Sequence, residues 1–297
     1  MTPKVGLSML LEDDLRLAQA PLFAEGIVEA IEWTIDCELG RATPPWVEPL
    51  LDHYAAAGAL YGHGVHFSPL SAIFEPRQAA WLEHAKGALA KRRYQHVSEH
   101  FGFMTTPGMT RGVPLPVPYT KGALELGRDR LARLRAATSG APVGLENLAL
   151  AMSRDDALVH GEFLDALLEP HDGFLLLDLH NLYCQAHNFD VPWGTLLGAM
   201  PLDRVREIHV SGGSWYEVAT PAGPQPFRRD THDDAVPDEV FGLLELALPR
   251  CPGVEVVFLE RLGGTLADAS AGEAYREDYR RLVSVVSRFA KGAAAHG

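Results

Sequence analysis

Eight apolar runs of strand length, each followed by a segment with helical spacing, predict that this chain folds as a single (β/α)8 TIM barrel. Two further observations support that fold class. No change of composition and no Ser/Gly-rich linker divides the 297 residues, so 1–297 is expected to form one domain. Four of the runs end on an ionisable side chain (Glu146, Asp178, His209 and Glu260), and strand ends are where such a barrel carries its active site. The rival α/β design, a doubly wound sheet, would be expected to show GxGxxG after its first strand, and none is there.

Taken in order, Val5–Met9 is the first strand, and Glu12–Glu25 follows with Leu15, Ala18 and Leu22 at helical spacing. Ile27–Trp33 reads as the second strand, ending near Glu32, and Trp46–Ala57 is helical after Pro44-Pro45. Ala59–Phe67 is the third strand and carries His63 and His66. Gln78–Arg92 is a helix whose basic end, Lys91-Arg92-Arg93, suits the negative end of its dipole and needs no ligand to explain it. Tyr94–Phe101, the fourth strand, holds Ser98-Glu99-His100. Met104–Pro118, rich in Pro, Gly and Met, is long for a connection and is the candidate for a lid or substrate loop.

Tyr119–Ala137 is a charged helix, Pro142–Asn147 the fifth strand, and Arg154–Leu168 a helix with Ser153 or Asp155 available as its cap. Phe174–Asp178 is the sixth strand: four apolar residues and then a carboxylate, the pattern of a strand buried on both faces. After a segment around Trp193–Met200 come the seventh strand, Arg204–Val210, and a polar loop carrying Arg229-Asp230-Thr231-His232. Asp238–Leu248 is helical, Val254–Glu260 is the eighth strand, and Gly272–Ala290 closes the chain as a helix.

Composition narrows the function. A net charge of −13 without a basic face argues against nucleic acid as the main ligand. No apolar run approaches the ~20 residues of a membrane helix. Three scattered cysteines (Cys37, Cys184, Cys251) read as reduced thiols, and the chain is expected to be a cytoplasmic protein.

The strand-end residues form a constellation: His63 or His66, Glu99 and His100, Glu146, Asp178, His209 and Glu260, with Asp230 and His232 in the loop after the seventh strand. Any one of them alone more often satisfies loop backbone than a cation. Together, imidazoles and carboxylates without cysteine make a nitrogen and oxygen ligand set suited to Fe, Mn or Zn. Carboxylates crowded at one barrel mouth repel unless a cation compensates them. Ser98 and Cys184 as nucleophiles find no supporting motif.

The sequence also resembles the multinuclear non-heme iron-dependent oxidative enzymes (MNIO), a family with a xylose-isomerase-like barrel. The matching pieces are His63-Gly64-Val65 with Ser68, Ser98-Glu99-His100-Phe101, Leu115-Pro116-Val117-Pro118-Tyr119-Thr120 and Leu145-Glu146-Asn147. They continue as Leu177-Asp178-Leu179-His180-Asn181 through to Asn188, Glu207-Ile208-His209-Val210, Asp230-Thr231-His232 and Leu259-Glu260-Arg261. Their order and spacing carry the resemblance, which favours His63 over His66. It implies two or three irons held by His63, Glu99, His100, Glu146, Asp178, His209, Asp230, His232 and Glu260. Asn147, Asn181, His66 and His180 are candidates for extra or supporting contacts. Three departures stand out: Gly213 where the family often has a second His, Leu262 where an acidic residue usually follows, and the unusual Trp215-Tyr216.

What the resemblance implies is oxidation of a ribosomally made precursor peptide, often at Cys, using O2, with a separate partner protein presenting the peptide. Two other readings of the same barrel are a Zn- or Mn-dependent isomerase or hydrolase and a catalytically silent metal-binding barrel.

Overall fold

Each of eight parallel strands pairs with its successor, and the eighth closes on the first, in the computed structural model, which describes residues 2–221 and 223–296. The strands are β1 (Lys4–Met9), β2 (Ala30–Thr34), β3 (Leu60–Gly64), β4 (Val97–His100), β5 (Val143–Glu146), β6 (Phe174–Asp178), β7 (Val205–Val210) and β8 (Val256–Leu259). Closure pairs Leu7 with Leu259. Helices follow each strand and bury their apolar stripes on the barrel, as Leu15, Ala18 and Leu22 do in α1 (Asp13–Ala24). The caps follow the local sequence. Ser153 accepts from the Asp156 N–H at the start of Arg154–Leu168, and Glu75 and Gln78 form a reciprocal box at the start of Pro76–Lys91.

Three segments differ from the sequence expectation. The presumed loop Met104–Pro118 contains a hairpin, Phe103–Thr106 with Met109–Leu115, turning at Pro107-Gly108. Gly108 has φ 79°, the left-handed region that glycine adopts without strain. A second hairpin, Trp215–Thr220 with Gly223–Arg228, stands where a polar loop was expected. Leu179–Phe189, not singled out as a helix from sequence, begins directly after β6 and is capped by Asp178 itself. Among the described residues, no helix is long and apolar enough to cross a membrane.

Alternation along the strands sorts side chains between the barrel interior and the helix layer. Toward the N-terminal end of the barrel interior, aromatic rings pack together: Tyr61 lies 4.7 Å from His96 and 5.5 Å from Phe258, and His96 lies 4.3 Å from Phe174 (ring centroids). Two residues beyond Tyr61, His96 and Phe258 come His63, Ser98 and Glu260; Glu32 approaches His63, His209 joins Glu32, Glu207 and Glu260, and His100 and Asp178 complete the rim. TIM-barrel interiors are ordinarily filled by branched apolar residues. Here much of the upper interior is ionisable.

Candidate metal centre

The rim side chains converge in overlapping groups whose potential ligand atoms lie within 4.8 Å of one another: His63, His100 and Glu146; Glu146, Asp178 and His209; Asp178, His232 and Glu260. In the first group the two Nε2 atoms face each other at 3.4 Å, and Glu146 Oε2 is 3.5 Å from His63 Nε2 and 3.2 Å from His100 Nε2. Atoms bonded to one ion at ~2.1 Å are separated by roughly 3.0–3.4 Å. The group has the spacing of one coordination sphere.

Hydrogen bonding does not account for this convergence. Glu146 Oε2, Asp178 Oδ2, Asn181 Oδ1 and His232 Nε2 are buried without a hydrogen-bond partner. His232 Nε2 forms a 2.8 Å ion-pair contact with Asp230 Oδ1. Buried polar atoms are ordinarily satisfied, so a set of orphaned lone pairs at ligand spacing fits cations. His232 also adopts φ 49°, a left-handed backbone uncommon outside glycine and of the kind held at functional sites.

Neighbouring groups fix the orientation of these side chains. Ser98 Oγ lies 2.8 Å from His63 Nδ1. Asn181 donates to Glu146 Oε1 at 3.0 Å, while Asn147 clamps the backbone of Asp178, donating to its carbonyl at 3.0 Å and accepting its N–H at 2.7 Å. His180 Nδ1 is 3.0 Å from Asp230 Oδ1, and its Nε2 accepts from Arg228 Nε at 3.2 Å. Arg228 is buried, with its guanidinium carbon 5.3 Å from the Tyr183 ring centroid and 5.2 Å from that of Trp215.

Beneath the rim, His209 Nε2 lies 3.1 Å from Glu32 Oε2 and 3.3 Å from Glu207 Oε1, and its Nδ1 lies 3.0 Å from Glu260 Oε2. Glu207 continues to His96 Nε2 at 2.7 Å. Electrostatics follow from this packing. Burial raises the Glu32 carboxyl to about 8, against the pull of His209. Burial and the charges of Asp230 and Glu146 hold Asp178 well above the usual carboxylate range. Burial opposes charge on His100, but Glu146 and Glu99 outweigh it and carry that ring up to about 9. Burial, with His100 beside it, pushes His63 down to about 4. His209 and His232 are raised despite burial by Glu32 and Glu260, and by Asp230 and Glu260, respectively.

The structure therefore brings His63, His100, Glu146, Asp178, His209, Asp230, His232 and Glu260 to one mouth. Glu99 is not brought there. Ser98 and His100 point into the barrel, so alternation turns Glu99 outward, where its carboxylate accepts from the N–H groups of His100 (3.2 Å) and Phe67 (3.4 Å). His66 also lies apart, exposed and 3.1 Å from Asp36. Asn147, Asn181 and His180 sit behind the ligand atoms, as described above. Sequence reasoning passed over Glu32, Glu207, His96 and Arg228. Glu32 was legible as the end of the second run, and Glu207 shares the parity of His209 two residues on.

The departures have physical accounts. A Cβ on Gly213 would meet the Arg229 carbonyl at 2.2 Å and His180 Cε1 at 2.8 Å, so the segment carrying Asp230 occupies the space a side chain would need. Leu262 is exposed and its N–H donates to the His232 carbonyl at 2.8 Å. Above the ligands opens a cavity of about 400 Å³, lined by His63, His100, Asp230, His232 and Glu260 below and by Val113, Pro114 and Leu262 at the rim. A cavity of about 440 Å³ at the opposite end, lined by Lys91, Arg92 and Ser139, holds none of the ligand groups.

Known proteins match this picture. Three curated relatives are UPF0276 proteins. The one from Acaryochloris marina is 32% identical over 220 residues, 69% of this chain and 76% of that protein. That from Acinetobacter baylyi is 29% identical over 186 residues (63% and 61%), and that from Caulobacter vibrioides 32% over 189 residues (63% and 64%). The match thus spans less than two thirds of the latter two proteins. Among solved structures, the IolI protein with a bound zinc superposes with a TM-score of 0.63 at 15% identity, covering 96% of this chain and 98% of that one. A xylose isomerase-like TIM barrel protein from Mycobacterium smegmatis in complex with magnesium gives 0.55 at 16%, also covering 96% and 98%. At such identity these two establish the fold alone. The model of the RiPP precursor modification enzymes MbnB/TglH/ChrH matches residues 38–265, a span that includes every ligand group above. The chain belongs to that family, the MNIO enzymes that act on ribosomally made precursor peptides.

Proposed function

We propose that the barrel mouth holds two or three iron ions and that the chain uses O2 to oxidise a precursor peptide, with a Cys side chain as the group acted on. The observation that carries this reading is the set of orphaned carboxylate and imidazole atoms at ligand spacing, with Glu146 and Asp178 each shared between two groups. Such nitrogen and oxygen ligands suit iron in both its ferrous and ferric states. Bound iron would supply a site where a substrate thiol loses its proton and meets O2.

In this reading His63, His100 and Glu146 hold one ion, and Asp178, Asp230, His232 and Glu260 hold a second. His209 stands between them with Glu32 and Glu207 behind it, the arrangement in which a carboxylate fixes the ring of a ligating histidine. Nε2–H then donates to those carboxylates, and Nδ1 faces the metals. Ser98 serves His63 likewise. The cavity above gives the peptide access, and the hairpin Phe103–Leu115 forms part of its wall. A separate protein that presents the peptide completes the proposal. So does a cytoplasmic setting: Cys184 and Cys251 are buried thiols, and no disulfide joins the described residues.

The test is elemental analysis and electron paramagnetic resonance of protein expressed with iron, followed by O2 consumption with a Cys-containing precursor peptide. Two or more irons with a coupled signal and peptide-dependent O2 uptake are expected. Zinc or manganese alone, with no iron retained after anaerobic reconstitution, overturns the oxidase in favour of isomerase or hydrolase chemistry. Bound metal with no turnover of any kind leaves a silent barrel.

A further inference from the structure

Next to the metal-lined cavity lies a second one of about 280 Å³, and the two share Val113, Pro114, Arg229, Asp230 and Thr231 as their common wall. Leu148, Ala149, Leu150 and Phe227 complete the second chamber, so its lining is mainly apolar while its neighbour is lined by ligands. Three segments build it: the first hairpin, the loop after β5 and the end of the second hairpin. Neither hairpin pairs with a barrel strand.

Two of these segments run straight out of metal-centre residues. Leu148–Leu150 follows Glu146 and Asn147, and Phe227 precedes Asp230 by three positions. The wall is braced at Leu148, whose N–H donates to His160 Nε2 at 3.1 Å and whose carbonyl accepts from Gln185 Nε2 at 2.6 Å. Beneath it, Asn147 is tied to Asp178. At Phe227, the next residue is held by Asn188 through both its N–H (2.8 Å) and its carbonyl (2.9 Å). The chamber is a braced recess at a fixed offset from the metals.

We infer that this chamber is a specificity subsite that takes one large apolar side chain of the substrate peptide, one or two residues from the residue presented to the metals. The inference rests on the peptide reading above in taking the occupant to be a peptide side chain. The shared wall sets this chamber directly beside the metal-lined cavity, and side chains of an extended peptide project at steps of ~3.3 Å along its backbone. A dry apolar cavity of about 150 Å³ suffices for benzene, so 280 Å³ admits Leu, Met or Phe. A charged or amide side chain would lose its hydration against Leu148, Leu150 and Phe227, and the polar residues of the lining, Arg229, Asp230 and Thr231, all belong to the one wall shared with the metal-lined cavity.

The experiment titrates the metal-loaded full chain with N-acetyl-leucinamide, N-acetyl-phenylalaninamide and N-acetyl-glutaminamide, reading dissociation constants by ligand-observed NMR. The apolar amides are expected to bind at least tenfold more tightly than the glutamine amide. Ala149→Trp, which fills the chamber, and Leu150→Asp, which charges it at a partly exposed position, are each expected to abolish the preference at unchanged metal content and circular dichroism. Equal affinities for the three amides, or a preference that survives in a folded Leu150→Asp variant, overturns the subsite. Absence of iron or of O2 uptake overturns the oxidase while the amide preference stays readable, so the two failures are distinct.

Discussion

Ser98 Oγ lies 2.8 Å from His63 Nδ1 and 3.4 Å from the Gly62 carbonyl, which it can only approach as a donor. Its hydroxyl therefore accepts the Nδ1 proton of His63 and leaves the Nε2 lone pair free, aimed at Glu146 and His100. Ser98→Ala is expected to leave the barrel folded and weaken metal binding by roughly 10–100-fold, the range for loss of a group that orients a ligating histidine. Competition against a chelator measures it, and unchanged metal affinity removes Ser98 from the centre.

Arg228 fixes His180 in the same manner. Its Nε donates to His180 Nε2, so the ring presents Nδ1–H to Asp230. Arg228→Gln is expected to speed metal release by about tenfold at the Asp230 side, with the stack of Tyr183 and Trp215 loosened. Stopped-flow release into chelator is the measurement, and an unchanged rate refutes the link.

His232→Ala and Asp178→Ala are expected to lower metal content. Asp178 also caps the helix Leu179–Phe189, so its removal costs about 1 kcal/mol of helix stability besides. Asp178→Asn separates the effects, keeping the cap and removing the charge. Full metal stoichiometry in all three variants would sink the ligand assignment.

Metal loading is expected to release protons. His100, carried up to about 9, holds a proton near neutral pH, and a metal must displace it. The sign follows: affinity rises as pH rises toward about 9, where the ring loses its proton unaided, and falls steadily below that. His209 and His232, also raised, act in the same direction. Calorimetry in buffers of different ionisation enthalpy counts the protons, and zero release contradicts the charge states described here.

Gly213→Ala is expected to destabilise the folded chain by about 1–3 kcal/mol, because its Cβ would fall 2.2 Å from the Arg229 carbonyl. Urea midpoints at matched metal loading report it. A stability equal to the parent would mean that the loop moves freely, and a histidine could then be restored there.

The barrel was legible because strands buried on both faces leave continuous apolar runs, as in Phe174–Asp178, and because ionisable ends such as Glu146 and His209 interrupt them. Glu99 shows the limit. Adjacent residues of a strand face opposite sides, so Glu99 and His100 cannot both reach the interior, and parity from Ser98 would have separated them. The second hairpin was missed because its first strand buries little: Trp215, Tyr216 and Val218 are exposed, so no alternation of apolar and polar residues marks it. Pro107-Gly108 was the available turn signal for the first. His96, inside Tyr94–Phe101, carried no mark of its role, since its partner Glu207 lies 111 positions away.

Glu32, His96, Glu207 and His209, all fully buried, also limit how descendants of this chain can diverge. A lineage that gave up its metal by losing one rim ligand would inherit a heart of two carboxylates and two imidazoles where other barrels pack Val, Ile and Leu. Each of these charges is tolerated only in the company of the others, so none can be replaced alone without stranding its neighbours. Retreat to an inert interior needs concerted substitutions on β2, β7 and the approach to β4. The first hairpin, outside the barrel ladder, faces no such tie, whereas the second is held through the buried Arg228 and its bond to His180. Divergence in this lineage is thereby channelled to the mouth, and sequence comparison should find it there.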